Sequence, residues 1–269
     1  MPNLADIIAA TRRKVSECHS KADFGQLLRQ AGLHVPRGFR AALESMSESG
    51  VAVIAELKKA SPSRGLIRRD FDPVKLAKGF EAASAAALSV LTDEEFFQGS
   101  LKNLRVASAE TRLPCLRKDF IVDEFQIIEA RANFADAILL IMAALSQKEL
   151  ATLIQKAADH ELDVLCEVHD EDELQRALDA GCDLIGVNSR DLRTFKVDLR
   201  TAFLLAEKMP GNVIAVAESG IESGTDIARL RSAGYKAFLI GETLMRAEKP
   251  GEALKSLLAE VSAASVIAQ

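Results

Sequence analysis

Eight short apolar runs recur along the chain at a period near 26 residues, and they limit its folds more than any other feature. They are Val51–Ala55, Ala86–Leu91, Leu113–Leu116, Ala137–Ile141, Val164–Cys166, Leu184–Val187, Val213–Ala217 and Ala237–Ile240. Each run is nearly continuous rather than alternating, as a strand buried on both faces must be. Amphipathic segments with helix-start chemistry lie between them. Asp72-Pro73 pairs an N-cap with a first-turn proline, ahead of Val74, Ala77 and Phe80. Ser146 with Glu149 spells a capping box, and Asp170 with Glu173 repeats that spacing. Gly181 then stands where a left-handed helix end is wanted. Asp123 with Gln126, and Asp198 ahead of Leu199 and Ala202, read as two further helix starts.

Strand then helix, eight times, predicts an α/β fold: a closed (β/α)8 TIM barrel. The competing architecture is an open doubly wound sheet. Its dinucleotide-binding form needs G-x-G-x-x-G, and no two glycines here are spaced G-x-G; the G-x-x-x-x-G-K-[ST] phosphate loop is missing too. Residues 1–48 carry helix signals at Leu4 to Val15 and Phe24 to Ala31, with a turn at Val35-Pro36-Arg37-Gly38. No Gly/Ser linker separates them from Val51, so the expectation is one barrel domain over residues 1–269 with a helical extension capping a barrel mouth.

Composition narrows the function. Hydrophobic residues make up 48% and charged residues 27%, enough for a large core and too apolar for disorder. The net charge of −5 argues against nucleic acid or an anionic membrane as partner. No stretch of 18 apolar residues is present to span a membrane. Cys18, Cys115, Cys166 and Cys182 form no C-x-x-C pair, so free thiols in a reducing cytoplasm are expected, without a disulfide or metal site. His160 and His169 read as structural or solvated. A monomer is expected, since barrel and extension can close a core alone.

In a barrel of this kind the chemistry sits at the C-terminal strand ends. The residues to weigh are therefore those just past each apolar run. Glu56 and Lys58 follow the first, on one face by strand alternation. Lys118 follows the third, Glu167 the fifth, and Asn188 with Arg190 the sixth. Charged groups at the tips of apolar strands are costly to bury unless paired with each other or with a ligand. Ser219-Gly220 and Gly241-Glu242 follow the last two strands, where this fold often holds a phosphate against backbone N–H groups and a short helix. Cys166 reads as a packed thiol, because no His–Asp arrangement accompanies it. The segment Ser61 to Phe71 has the turn chemistry of a lid.

The runs Ala55-Glu-Leu-Lys-Lys-Ala-Ser-Pro-Ser-Arg-Gly65, Leu91-Thr92 with Phe97-Gln-Gly-Ser100, Arg117-Lys-Asp-Phe-Ile-Val122, Gly186-Val-Asn-Ser-Arg-Asp191 and Ala217-Glu-Ser-Gly-Ile221 together resemble the motifs of the indole-3-glycerol-phosphate synthase family. The likeness runs on to Phe238-Leu-Ile-Gly-Glu-Thr-Leu-Met-Arg246. Other phosphate-binding barrels of tryptophan biosynthesis do not share the first, third and fourth of these runs together. The resemblance implies a carboxy-lyase without metal or organic cofactor. It would turn 1-(2-carboxyphenylamino)-1-deoxyribulose 5-phosphate into indole-3-glycerol phosphate, carbon dioxide and water. It further implies a catalytic set of Lys118, Glu167, Glu56 and Lys58. Ser61, Asn188 and Arg190 would bind substrate, and Ser219, Gly220, Gly241 and Glu242 its phosphate. The apolar ring needs a wall, for which Phe97, Phe120 and the strand end near Ile141 are candidates. Proton donation near neutral pH is expected from a Lys118 whose pKa its neighbours lower. Some members carry Ser where this chain has Glu242, which is harmless if the carboxylate points away from the anion.

Overall fold

The computed structural model describes residues 3–191 and 196–267. Eight parallel strands close into a barrel: β1 (Ala52–Leu57), β2 (Ala87–Leu91), β3 (Cys115–Lys118), β4 (Ala137–Ile141), β5 (Asp163–Val168), β6 (Leu184–Asn188), β7 (Ile214–Glu218) and β8 (Ala237–Ile240). Closure comes from β1 pairing with β8, with Ala52 opposite Ala237 and Ala55 opposite Ile240. All eight apolar runs of the sequence are strands, within a few residues at each end.

Alternate residues of each strand face the barrel interior, where Ile54, Leu116, Leu165 and Val216 form one apolar cluster. Two positions further along the same strands stand Glu56, Lys118, Glu167 and Glu218. Strand alternation therefore aims four charged side chains at one mouth. The outward-facing set, including Val53, Leu88, Ile138 and Phe238, packs against the helix layer.

Helix starts follow the capping chemistry closely. Asp72 accepts from Val74 N and Lys75 N, and Ser146 forms a reciprocal box with Glu149. Gly181 has φ +79°, the left-handed conformation expected past a helix end. Asp198 likewise opens a helix, Arg200–Ala206, accepting from Arg200 N at 3.0 Å while it pairs with the Arg200 side chain.

The extension comprises three helices, Leu4–Lys21, Phe24–Ala31 and Phe39–Ser49. The third carries no start signal in the sequence, because its cap is Gly38 at φ +74° with no side-chain hydrogen bond. It buries Phe39 and Leu43 completely in the interior cluster and so plugs the N-terminal end of the barrel. Its approach is fixed by buried Asp136, which accepts from Arg37 N at 2.7 Å, Arg37 Nη2 at 2.5 Å and Cys115 N at 2.6 Å.

The cysteines depart from the expected free thiols. Cys166 on β5 and Cys182 before β6 are joined as a disulfide, with Cα atoms 6.6 Å apart. Neighbouring strands bring together two positions that are 16 residues apart in the chain, a pairing no short motif announces. Cys18 and Cys115 are free, and burial pushes the Cys115 thiol up to about 12. Among the described residues no helix is long and apolar enough to cross a membrane, and no group of three or more His, Cys, Asp or Glu is placed to hold a metal ion.

Candidate active site

One cavity of about 800 Å³ opens at the C-terminal mouth, and all twelve residues selected from the sequence line it. Two lysine–carboxylate pairs face into it. Lys58 Nζ lies 2.6 Å from Glu56 Oε1, and Lys118 Nζ donates to Glu167 Oε2 at 3.1 Å. Both carboxylates are almost fully buried. Asn188, at the end of β6, helps hold the Glu167 carboxyl below its usual range and accepts Arg190 N at 3.0 Å through Oδ1. Phe97 and Phe120 meet at 6.2 Å between ring centres and, with Ile141, form the apolar wall.

Glu218, within the Ala217-Glu-Ser-Gly-Ile221 run, received no role from the sequence. It is a third buried carboxylate, with Oε2 3.7 Å from Lys118 Nζ and Oε1 without a hydrogen-bond partner among the described residues. The signal was available, since Glu218 occupies the same tip position on β7 as Glu167 does on β5. Leu4 and Ile7 of the first extension helix also line the cavity, which no strand-tip rule can find.

The electrostatics correct the expected behaviour of Lys118. Burial alone would lower its pKa, but Glu167, Glu218 and Glu56 outweigh burial and raise it. Lys118 therefore rests as an ammonium at neutral pH. Burial likewise pushes Glu167 up, and Lys118 and His169 reverse this, holding its carboxyl well below the usual range. Glu218 goes the other way, raised by burial and by the neighbouring Glu167 charge. Two carboxylates around one ammonium cannot both stay ionised cheaply.

Glycines make this packing possible. A Cβ on Gly241 would run into the Glu56 carboxylate, and one on Gly186 into that of Glu218. Gly241 thus makes room for a buried catalytic candidate, a different reason from the anion approach inferred from its sequence position. Gly220 is different again. It follows Ser219 (φ 61°) at φ 78°, two successive left-handed residues that turn the chain over the mouth.

Glu242 does not point away from its surroundings. It pairs with Arg64 Nε at 2.9 Å, Arg190 Nη2 at 3.6 Å and Arg246 Nη1 at 3.6 Å. Three guanidiniums around one carboxylate leave positive charge in excess at this corner. Arg64 comes from the loop after β1, where Ala60–Ser61 and Gly65–Leu66 form a small hairpin that carries Ser61.

A closed parallel barrel with paired lysines and carboxylates at its C-terminal mouth, beside a cationic corner, belongs to the barrel enzymes that do acid–base chemistry on small anionic substrates. A family model described as indole-3-glycerol phosphate synthase matches residues 4–257. The chain is 58% identical over 255 residues to the indole-3-glycerol phosphate synthase of Koribacter versatilis (strain Ellin345), spanning 95% of this chain and 98% of that one. It is 49% identical over 250 residues to the protein of that name from Chlorobium luteolum, spanning 93% and 95%. The chain belongs to the indole-3-glycerol phosphate synthase family. Among solved structures it resembles mandelate oxidase with (S)-2-phenylpropionate (TM-score 0.62, 18% identity, 81% of this chain and 75% of that one). A 3-hexulose-6-phosphate synthase is similar to the same degree (TM-score 0.62, 16% identity, 78% and 99%). At such identities the likeness speaks for the barrel alone.

Gly220→Val tests the cationic corner. The added Cβ would meet Val197 Cγ1 at 2.6 Å, on a backbone that β-branched residues resist. A left-handed residue of this kind costs about 1–2 kcal/mol, so KM for a phosphorylated substrate should rise roughly tenfold. Inhibition by inorganic phosphate should weaken in parallel. If both stay unchanged, the anion does not bind here.

Proposed function

We propose that this mouth closes the ring of 1-(2-carboxyphenylamino)-1-deoxyribulose 5-phosphate and releases carbon dioxide and water to give indole-3-glycerol phosphate. The observation that carries this reading is the presence of two separate lysine–carboxylate pairs in one cavity, because the reaction has two proton-demanding stages. In the first, the ring carbon bearing the carboxylate attacks the ketone. Lys118 donates to the ketone oxygen as negative charge develops there. An alkoxide is a stronger base than an amine, so a lysine of raised pKa still gives up its proton, and its charge stabilises the oxygen beforehand. Arg190 holds the aromatic carboxylate by charge-assisted hydrogen bonds until carbon dioxide leaves.

In the second stage a hydroxyl departs as water and the ring loses a proton. Lys58 supplies the acid and Glu56 the base, since their 2.6 Å contact lets a proton pass back between them after each cycle. Ser61, Asn188 and the Phe97–Phe120 wall orient the substrate. The phosphate lies over Ser219, Gly220 and Gly241, drawn by the arginines around Glu242. The enzyme works as a cytoplasmic monomer, with no organic cofactor, metal or nucleic acid taking part.

Product stoichiometry separates this reading from a sugar-phosphate isomerase or a binding module on the same barrel. One carbon dioxide should appear for each substrate consumed. An isomerase would consume substrate without releasing gas, and a binder would do neither.

A further inference from the structure

His169 follows β5 directly after Val168, and it is the one histidine at the catalytic mouth whose ring lies between two carboxylates. Its Nδ1 is 3.1 Å from Glu173 Oε2, and its backbone N–H donates to the same oxygen at 2.8 Å. Glu173 belongs to the helix Glu171–Asp179 that follows. The other ring nitrogen, Nε2, is turned to Glu167 Oε1 at 3.4 Å. That nitrogen is buried and makes no closer hydrogen bond among the described residues. Glu173 thus holds His169 by ring and backbone together, and the ring faces Glu167 Oε1 while Lys118 faces Oε2.

The arrangement matters because Glu167 has a competitor. Glu167 and Glu218 both approach Lys118 Nζ, at 3.1 and 3.7 Å, and both side chains are 2% exposed. Left to themselves, two such carboxylates share one proton with no fixed owner. The groups facing Glu167 are Lys118 on β3, Glu218 on β7, Glu56 on β1, Asn188 on β6 and His169 just past its own strand. Those acting on His169 are Glu167 and Glu173. Of Glu167 and Glu218, among the described residues only Glu167 has a second cation, His169, against it.

We propose that His169 is a positioning residue that fixes the proton of the buried Glu167–Glu218 pair on Glu218, so that Glu167 is the standing anion that aims the Lys118 ammonium at the ketone. Burial alone would keep the imidazole neutral, but its two carboxylates push it up to about 10, so it is cationic through the neutral range. Glu218 is then the neutral acid of the pair. The inference rests on Lys118 and Glu167 being the acid–base pair of ring closure.

The test compares His169→Gln, Glu173→Gln and Glu167→Gln across pH. His169→Gln keeps a polar side chain but removes the cation. Glu167 then takes a proton more readily, so the acid limb of the kcat profile should move to higher pH by about one unit, a tenfold change in protonation ratio. At a given pH on that limb kcat should fall while KM holds. Glu173→Gln leaves the ring in place with half its support and should move the limb the same way by less. This second variant also reads the inference if His169→Gln fails to fold. Unshifted profiles in both histidine-side variants, with Glu167→Gln inactive, overturn the role of His169 alone. A Glu167→Gln enzyme that keeps its kcat overturns the acid–base pair instead.

Discussion

Lys118→Met should lower kcat by roughly 10²–10⁴-fold, the scale of a lost general acid. Methionine keeps the unbranched stem and its packing against the barrel wall but donates no proton. KM should change far less, because the ammonium acts mainly where charge develops in the transition state. The variant should also fold. Without the ammonium, Glu218 stays protonated and Glu167 keeps His169 as its cationic partner, so no buried charge is left unpaired. If Lys118 were only a structural partner of these carboxylates, the variant would lose stability yet keep its turnover per folded molecule. Measuring kcat and the melting curve on one preparation separates the two cases. A variant retaining more than about a third of kcat, far above the 10² floor for a lost acid, contradicts the assignment.

The second large effect is one of stability. Asp136→Ala should destabilise the fold by about 3 kcal/mol, the lower end for breaking a buried ion pair. Asp136 is fully buried, and Arg37 also donates to Ser108 O and Thr111 O. Removing the carboxylate strands the guanidinium and frees the segment that leads into the barrel plug, Phe39 and Leu43. At about 2–4 °C per kcal/mol for a chain of this size, the melting temperature should drop by about 6–12 °C. Burial raises the Asp136 pKa, but His34 and Arg37 outweigh it and hold the carboxyl below its usual value. The contribution is therefore present above the ordinary aspartate pKa and is lost as pH falls through the lower, folded one. The wild type should lose more stability on acidification than the variant does. A drop under about 1 kcal/mol would place this pair with ordinary surface ion pairs.

The eight strands could be read in the sequence because burial on both faces leaves no polar position to blur them. The mouth could be read for a related reason. A charged residue two places past an interior leucine, isoleucine or valine has nowhere to point but into the barrel, as Lys118 does beyond Leu116. What stayed hidden depends on partners distant in the chain. The pKa direction of Lys118 is set by Glu167, 49 residues away, and by two further carboxylates. The plug helix starts on a glycine without a side-chain cap. The role of Gly241 emerges only once Glu56 is seen against it. The Cys166–Cys182 bond needs the register of β5 and β6. His169 looked like a loop histidine until Glu173 and Glu167 were seen to bracket it.

The chain contains no Trp, and this makes one measurement decisive. Indole emission followed after adding 1-(2-carboxyphenylamino)-1-deoxyribulose 5-phosphate to the wild-type protein reports the product without background from the enzyme. The account predicts a rise whose rate scales with enzyme concentration and is abolished by Lys118→Met. Binding of the substrate with no rise in indole emission would contradict it.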